Sequence, residues 1–120
     1  MIFRTSLSVI AGLMFAASVG SAAFAADVVK IGSKNFTEQF VVAEIYAQAL
    51  EKAGVTVERH LNLGATLVAH AALTHGDIDL YPEYTGTALA AVVKGDLSGS
   101  ADKIYSDVKT YYEKNLKGRL

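Results

Sequence analysis

Beyond residue 25, apolar and polar positions divide the chain into short alternating elements. VVKIG (Val28–Gly32) is brief and β-branched, the pattern of a strand. After the turn SKNF, the stretch TEQFVVAEIYAQALEKAG sets Val42, Ile45, Tyr46, Ala49, Leu50 and Ala53 at helical spacing, which predicts one apolar face. Asn35 or Thr37 is placed to cap that helix, Glu38 suits its positive end, and Gly54 is placed to end it in a left-handed turn. VTVERHL turns Val55, Val57 and Leu61 one way and Thr56, Glu58 and His60 the other, as a second strand does. ATLVAHAALTHG predicts a shorter helix closed by Gly76. IDLY predicts a third, buried strand, with Pro82 just past its end. TGTALAAVVKG predicts a third helix stopped by Gly95. After the polar DLSGS, a fourth runs over Ala101–Leu116 with Ile104, Val108, Tyr111 and Tyr112 as its stripe.

Strands alternating with helices imply parallel pairing through right-handed crossovers, so the fold class is α/β with a βαβαβ core. Open sheets of this kind bind ligands beyond the carboxyl ends of their strands. SKNFTEQ follows the first strand and YPEYTGT follows the third, so the topology brings both to one rim. Three strands make a thin sheet for four helices, and such a sheet should leave apolar surface open.

Residues 1–25, MIFRTSLSVIAGLMFAASVGSAAFA, stand apart. A cation at Arg4, a short apolar run and a small-x-small site at Ala23-Phe24-Ala25 make a signal-peptide pattern, with a run too short to span a bilayer comfortably. The expectation is an exported product, periplasmic in a cell with two membranes, with residues 26–120 left after cleavage. The 11 Lys+Arg nearly balance the 12 Asp+Glu and no basic block stands out, which argues against a nucleic-acid partner. There are no cysteines, so disulfides and thiolate metal sites are excluded. His70 and His75 do not share a helical face, and no metal or other cofactor is expected. No G-x-S-x-G, H-E-x-x-H or glycine-rich phosphate loop is present, so nothing in the sequence points to an enzyme.

The rim residues offer a different chemistry. Lys34 is a point cation beside a helix N-terminus, a combination that favours a carboxylate. Thr87 adds a hydroxyl in the first turn of the third helix, and Gln39 and Asn35 add amide donors. Tyr84 offers a π-face, which attracts a quaternary ammonium that has no N–H to donate. A small zwitterion fits this set. Each residue also has a plainer role open to it: Lys34 as a solvated turn lysine, Tyr81 in the core, Tyr84 as a packing ring, Thr85 or Thr87 as a cap, and Glu83 as an exposed charge. Tyr46, Tyr111 and Tyr112 fall on helical faces and read as structural.

IGSKNFTEQFVVAEIYAQALEKAG, followed by GDIDLYPEYTGTAL, closely resembles the start of the substrate-binding proteins of osmoprotectant ABC transporters, the glycine betaine/choline/carnitine binders of the ProX, OpuC and OsmF type. The resemblance implies a type II periplasmic-binding-protein-like lobe, with the second lobe absent from this chain. It implies a small quaternary ammonium ligand and a partner permease of an ABC importer at the inner membrane. It also implies roles for matching residues: Lys34 and Thr87 toward the ligand carboxylate, Tyr84 as one wall of an aromatic box, and Gln39 as a cleft residue. Two alternatives stay open. The fold could be tuned to another polar solute such as an amino acid, or the chain could be a fragment without function of its own.

Overall fold

A computed structural model describes residues 28–116. The predicted leader lies outside them. The first strand, β1 (Val28–Gly32), leads through a short loop into α1 (Thr37–Lys52). The chain returns as β2 (Thr56–His60), paired in parallel with β1 from Val28 opposite Thr56 to Gly32 opposite His60. Gly54 takes the left-handed conformation (φ 87°) in the turn between them, as its place in the sequence implies. Next comes α2 (Thr66–His75), closed by left-handed Gly76 (φ 82°).

The predicted third strand is reduced to one parallel bridge, Ile31 to Leu80, on the edge of β1 away from β2. The Gly32 N–H donates to the Leu80 carbonyl at 2.8 Å, and the Asp79 N–H donates to that of Lys30 at 2.8 Å. The ladder is cut short because the Asp79 carboxylate takes the Lys30 N–H for itself, at 2.7 Å. Pro82, which has no N–H, follows at once. β1 is nevertheless the middle of the arrangement, with β2 on one side and the 78–81 segment on the other.

Successive residues of β1 face opposite cores. Ile31 packs with Ala43 and Ala47 of α1. Gly32 faces the other way: a Cβ there would lie 2.5 Å from Ile78 Cδ1. Ile78 belongs to the second core, with Leu73, Ala88 and Tyr112. The face predicted for α1 therefore needs correction. The residues fully buried are Gln39, Ala43 and Ala47, while Ile45 and Tyr46 are exposed. Small alanines let the helix axis approach the thin sheet closely, and this rotates the bulkier side chains outward. Val41, Ile45 and Tyr46 leave an open apolar surface on the outer side of this helix.

α3 (Thr85–Ala88) is a single α-turn that widens into a π-helical turn over Leu89–Val93. The residue that ends it in the left-handed region is Lys94 (φ 63°), not Gly95 as predicted. Gly95 serves close approach instead. Its N–H donates to the Leu89 carbonyl at 3.0 Å, and a Cβ would meet Leu89 Cδ1 at 2.5 Å. α4 (Ala101–Leu116) buries Tyr112 and half-buries Ile104, Val108 and Tyr111, the predicted stripe. Among the described residues no helix is long and apolar enough to cross a membrane.

Candidate functional site

The loop after β1 is tied down from two sides. Ser33 is fully buried; its Oγ accepts the Asn62 N–H at 2.9 Å and its carbonyl accepts the Leu63 N–H at 3.0 Å. The Asn35 N–H donates to the Gly64 carbonyl at 3.0 Å. From α1, Gln39 Oε1 accepts the Lys34 N–H at 3.3 Å. This resembles half of a capping box, a third-position amide reaching back to an orphan donor. It corrects the expectation that Asn35 or Thr37 caps α1: the N-cap residue is Phe36, in extended conformation, with no side-chain cap. Gln39 is fully buried beneath the loop, and its Nε2 has no hydrogen-bond partner.

Held by this loop, the Lys34 side chain runs inward, and the residue is 2% exposed. Its ammonium is ion-paired with Glu83 Oε1. It also lies 4.9 Å from the centre of the Tyr84 ring and 5.5 Å from that of Phe36. Those two rings stand 6.5 Å apart, inclined by 22°. The Tyr84 hydroxyl donates to Glu38 Oε1 at 2.6 Å, and this bond to a carboxylate is the main reason its pKa is raised. The Tyr84 N–H donates to Glu83 Oε1 at 2.8 Å, so Glu83 serves the cation and the backbone of the ring at once. Glu83 Oε2 is buried without a well-formed hydrogen bond. Thr87 is half-buried in α3, three residues beyond Tyr84.

Behind Glu83 lies a cavity of about 260 Å³, lined by Leu73, Leu80, Tyr81, Val108 and Tyr112 as well as Glu83. The Tyr81 hydroxyl makes no well-formed hydrogen bond but lies close to Tyr112 and Glu83, and burial, reinforced by these two neighbours, pushes its pKa up. Tyr112 reaches His70 Nδ1 at 3.3 Å, and burial lowers the His70 pKa. Lys34, Gln39 and Tyr84 thus converge, with Thr87 on the adjoining turn. Phe36 carries no signal in the sequence, and Glu83, for which an exposed charge is one role open, is instead mostly buried and paired with Lys34. A signal for Glu83 existed: a lysine turned inward needs a counter-charge, and Glu83 is the acid within YPEYTGT.

Residues 27–118 match the family model described as the substrate binding domain of ABC-type glycine betaine transport system, OpuAC. The chain belongs to this family. The chain is 37% identical over 87 residues to the ergothioneine transport permease/ergothioneine binding protein EgtU of Helicobacter pylori (strain G27), covering 72% of this chain and 15% of that one. It is 43% identical over 74 residues to the glycine betaine-binding protein YehZ of Escherichia coli (strain K12), covering 62% of this chain and 24% of that one. The structure of apo YehZ from Escherichia coli superposes with a TM-score of 0.67 at 36% identity, over 74% of this chain and 32% of that one. The chain therefore spans about a third or less of each of these three relatives, and its α/β fold is part of a solute-binding protein's fold.

Proposed function

We propose that this chain contributes one wall of a solute-binding cleft for small zwitterions that carry a quaternary ammonium and a carboxylate, glycine betaine being the simplest. The observation that carries the reading is the cation already lying at the rings. The Lys34 ammonium is within cation–π range of both Tyr84 and Phe36. The same ammonium is the group a ligand carboxylate would pair with. A ligand of this class thus supplies two charges that match two neighbouring groups on the protein, with the Thr87 hydroxyl on the adjoining turn. The solutes named for the relatives, glycine betaine and ergothioneine, both join a trimethylammonium to a carboxylate. In the full reading, residues 1–25 direct export, the solute is captured outside the cytoplasm, and an ABC importer's permease receives it. Binding and delivery need no chemistry on the solute, in keeping with a family of substrate-binding domains.

The test is a titration of the ¹⁵N-labelled chain with glycine betaine, followed by amide and ring shifts. One ring pair and one ammonium contribute on the order of 4 kcal/mol, a dissociation constant near 1 mM. Saturable shifts centred on Lys34, Phe36, Tyr84 and Thr87 are expected. Saturable shifts elsewhere, or none from a folded chain at ten times that concentration, would overturn the reading.

A further inference from the structure

We propose that the Lys34–Glu83 ion pair is the selector between zwitterionic and purely cationic ligands at the Phe36–Tyr84 rings, and that Glu83 sets the preference. The inference rests on the cleft reading above and names what decides among its ligands.

The place a ligand cation would take is already held by the protein's own. Lys34 lies 4.9 Å from the Tyr84 ring centre and is almost wholly buried. A second cation cannot join it there without a strong repulsion, so Lys34 has to withdraw or be neutralised. Glu83 is the less free of the two partners. It is bound through Tyr84 N–H at 2.8 Å, on the residue that carries the ring, whereas Lys34 reaches its place on a flexible side chain. In an exchange Glu83 therefore stays and Lys34 moves. The Glu83 Oε2, buried and without a well-formed hydrogen bond, leaves capacity for a further positive neighbour.

A zwitterion lets this exchange balance. Its carboxylate replaces Glu83 as the partner of Lys34, and its ammonium replaces Lys34 beside the rings and Glu83. Every charge ends with an opposite one. A bare quaternary cation brings no anion, so Lys34 cannot leave Glu83 without being stranded in a buried site. The wild-type pair accordingly favours zwitterions. Without Lys34 the competitor is gone and Glu83 is free for the cation. Without Glu83, Lys34 is left seeking an anion.

The test compares glycine betaine with tetramethylammonium chloride at constant ionic strength, by shift titration of wild type, Lys34→Gln, Glu83→Gln and the double variant, each checked for a cooperative melt. A full charge within about 5 Å, at an effective dielectric near 20, is worth more than tenfold in affinity. Lys34→Gln should lower the ratio of betaine to tetramethylammonium affinity by about tenfold or more, and Glu83→Gln should raise it by a similar factor. The neutral double variant should fall between the two. If Glu83→Gln does not fold, Lys34→Gln and the double variant must still differ, with the double variant binding tetramethylammonium more weakly. A ratio that stays within about twofold across the folded variants overturns the selector while leaving the cleft reading standing. Failure of both probes to bind wild type overturns both.

Discussion

The clearest physical demand on this fold falls at Gly32. A methyl group there would lie 2.5 Å from Ile78 Cδ1, 2.9 Å from Leu63 Cδ1 and 3.3 Å from Ile78 Cγ2. Carbon atoms prefer separations of about 3.5–4.0 Å, so the worst contact overlaps by about 1 Å. Ile78 is 1% exposed and packed with Leu73, Ala88 and Tyr112, so it has little room to retreat. Gly32→Ala should cost about 1–3 kcal/mol by overpacking, partly offset by the roughly 0.5–1 kcal/mol that alanine gains over glycine within a strand. Ile78→Val removes Cδ1, the atom in the worst contact, and alone should cost about 0.5–1.5 kcal/mol. Together the two substitutions should be less destabilising than their sum by about 1 kcal/mol, because the shortened side chain makes room for the methyl. Urea denaturation of the four species, followed by circular dichroism, measures this coupling. Additivity within about 0.5 kcal/mol would refute the argument, as would a Gly32→Ala chain as stable as the parent.

Three further outcomes are expected. Lys94→Gly should raise stability by about 0.5–1 kcal/mol in the same denaturation assay, because a non-glycine residue now holds the left-handed turn. Tyr84→Ala should weaken glycine betaine binding by about 2- to 30-fold in shift titrations, whereas Tyr84→Phe, which keeps the ring and loses the bond to Glu38, should retain most of it. The Glu44 carboxyl is held down to about 2, first by its hydrogen bonds from Arg59 and then by one from Gln48. Because the folded value lies below the ordinary one, its contribution to stability is present above the ordinary pKa and is lost as pH falls toward 2. Carbon-detected titration should find that midpoint in the parent and a return toward the ordinary value in Arg59→Ala.

The elements and their order were legible because strand and helix periods differ and glycines mark the turns. What the pattern did not carry was which partner each face meets. In α1 the regular run of Val42, Ile45, Tyr46 and Ala49 suggested a buried stripe, yet Ala43 and Ala47 touch the sheet. Periodicity records that a helix has an apolar side; the distance to the sheet decides whether large or small residues fill it, and that distance is tertiary. The third strand failed for a local reason. IDLY has strand composition, but its Asp79 side chain competes with the backbone for the Lys30 N–H. At the site, Lys34, Gln39, Tyr84 and Thr87 could be nominated from two motifs. Phe36 could not, because one aromatic residue in a turn gives no sign that it faces a ring far along the chain.

The position of β1 explains why two distant motifs make one site at all. Lys34 and Glu83 are 49 residues apart and belong to loops that follow different sheet segments. They meet because the 78–81 segment joins β1 directly, through the Ile31–Leu80 bridge and the bond from Gly32 N–H to the Leu80 carbonyl. Two residues beyond Gly32 stands Lys34, and three beyond Leu80 stands Glu83. That bridge is short, so sheet hydrogen bonding alone holds the junction weakly. The ion pair spans the same junction, and a buried lysine without its carboxylate would carry a heavy desolvation cost. Site and scaffold are therefore mutually dependent: the bridge sets Lys34 beside Glu83, and the pair closes the seam that the curtailed third strand leaves open. A ligand that draws Lys34 away from Glu83 must supply a replacement anion or loosen that seam. Under the proposed exchange, the preference for a carboxylate on the ligand thus follows from how the sheet is held together as well as from the charge on the lysine.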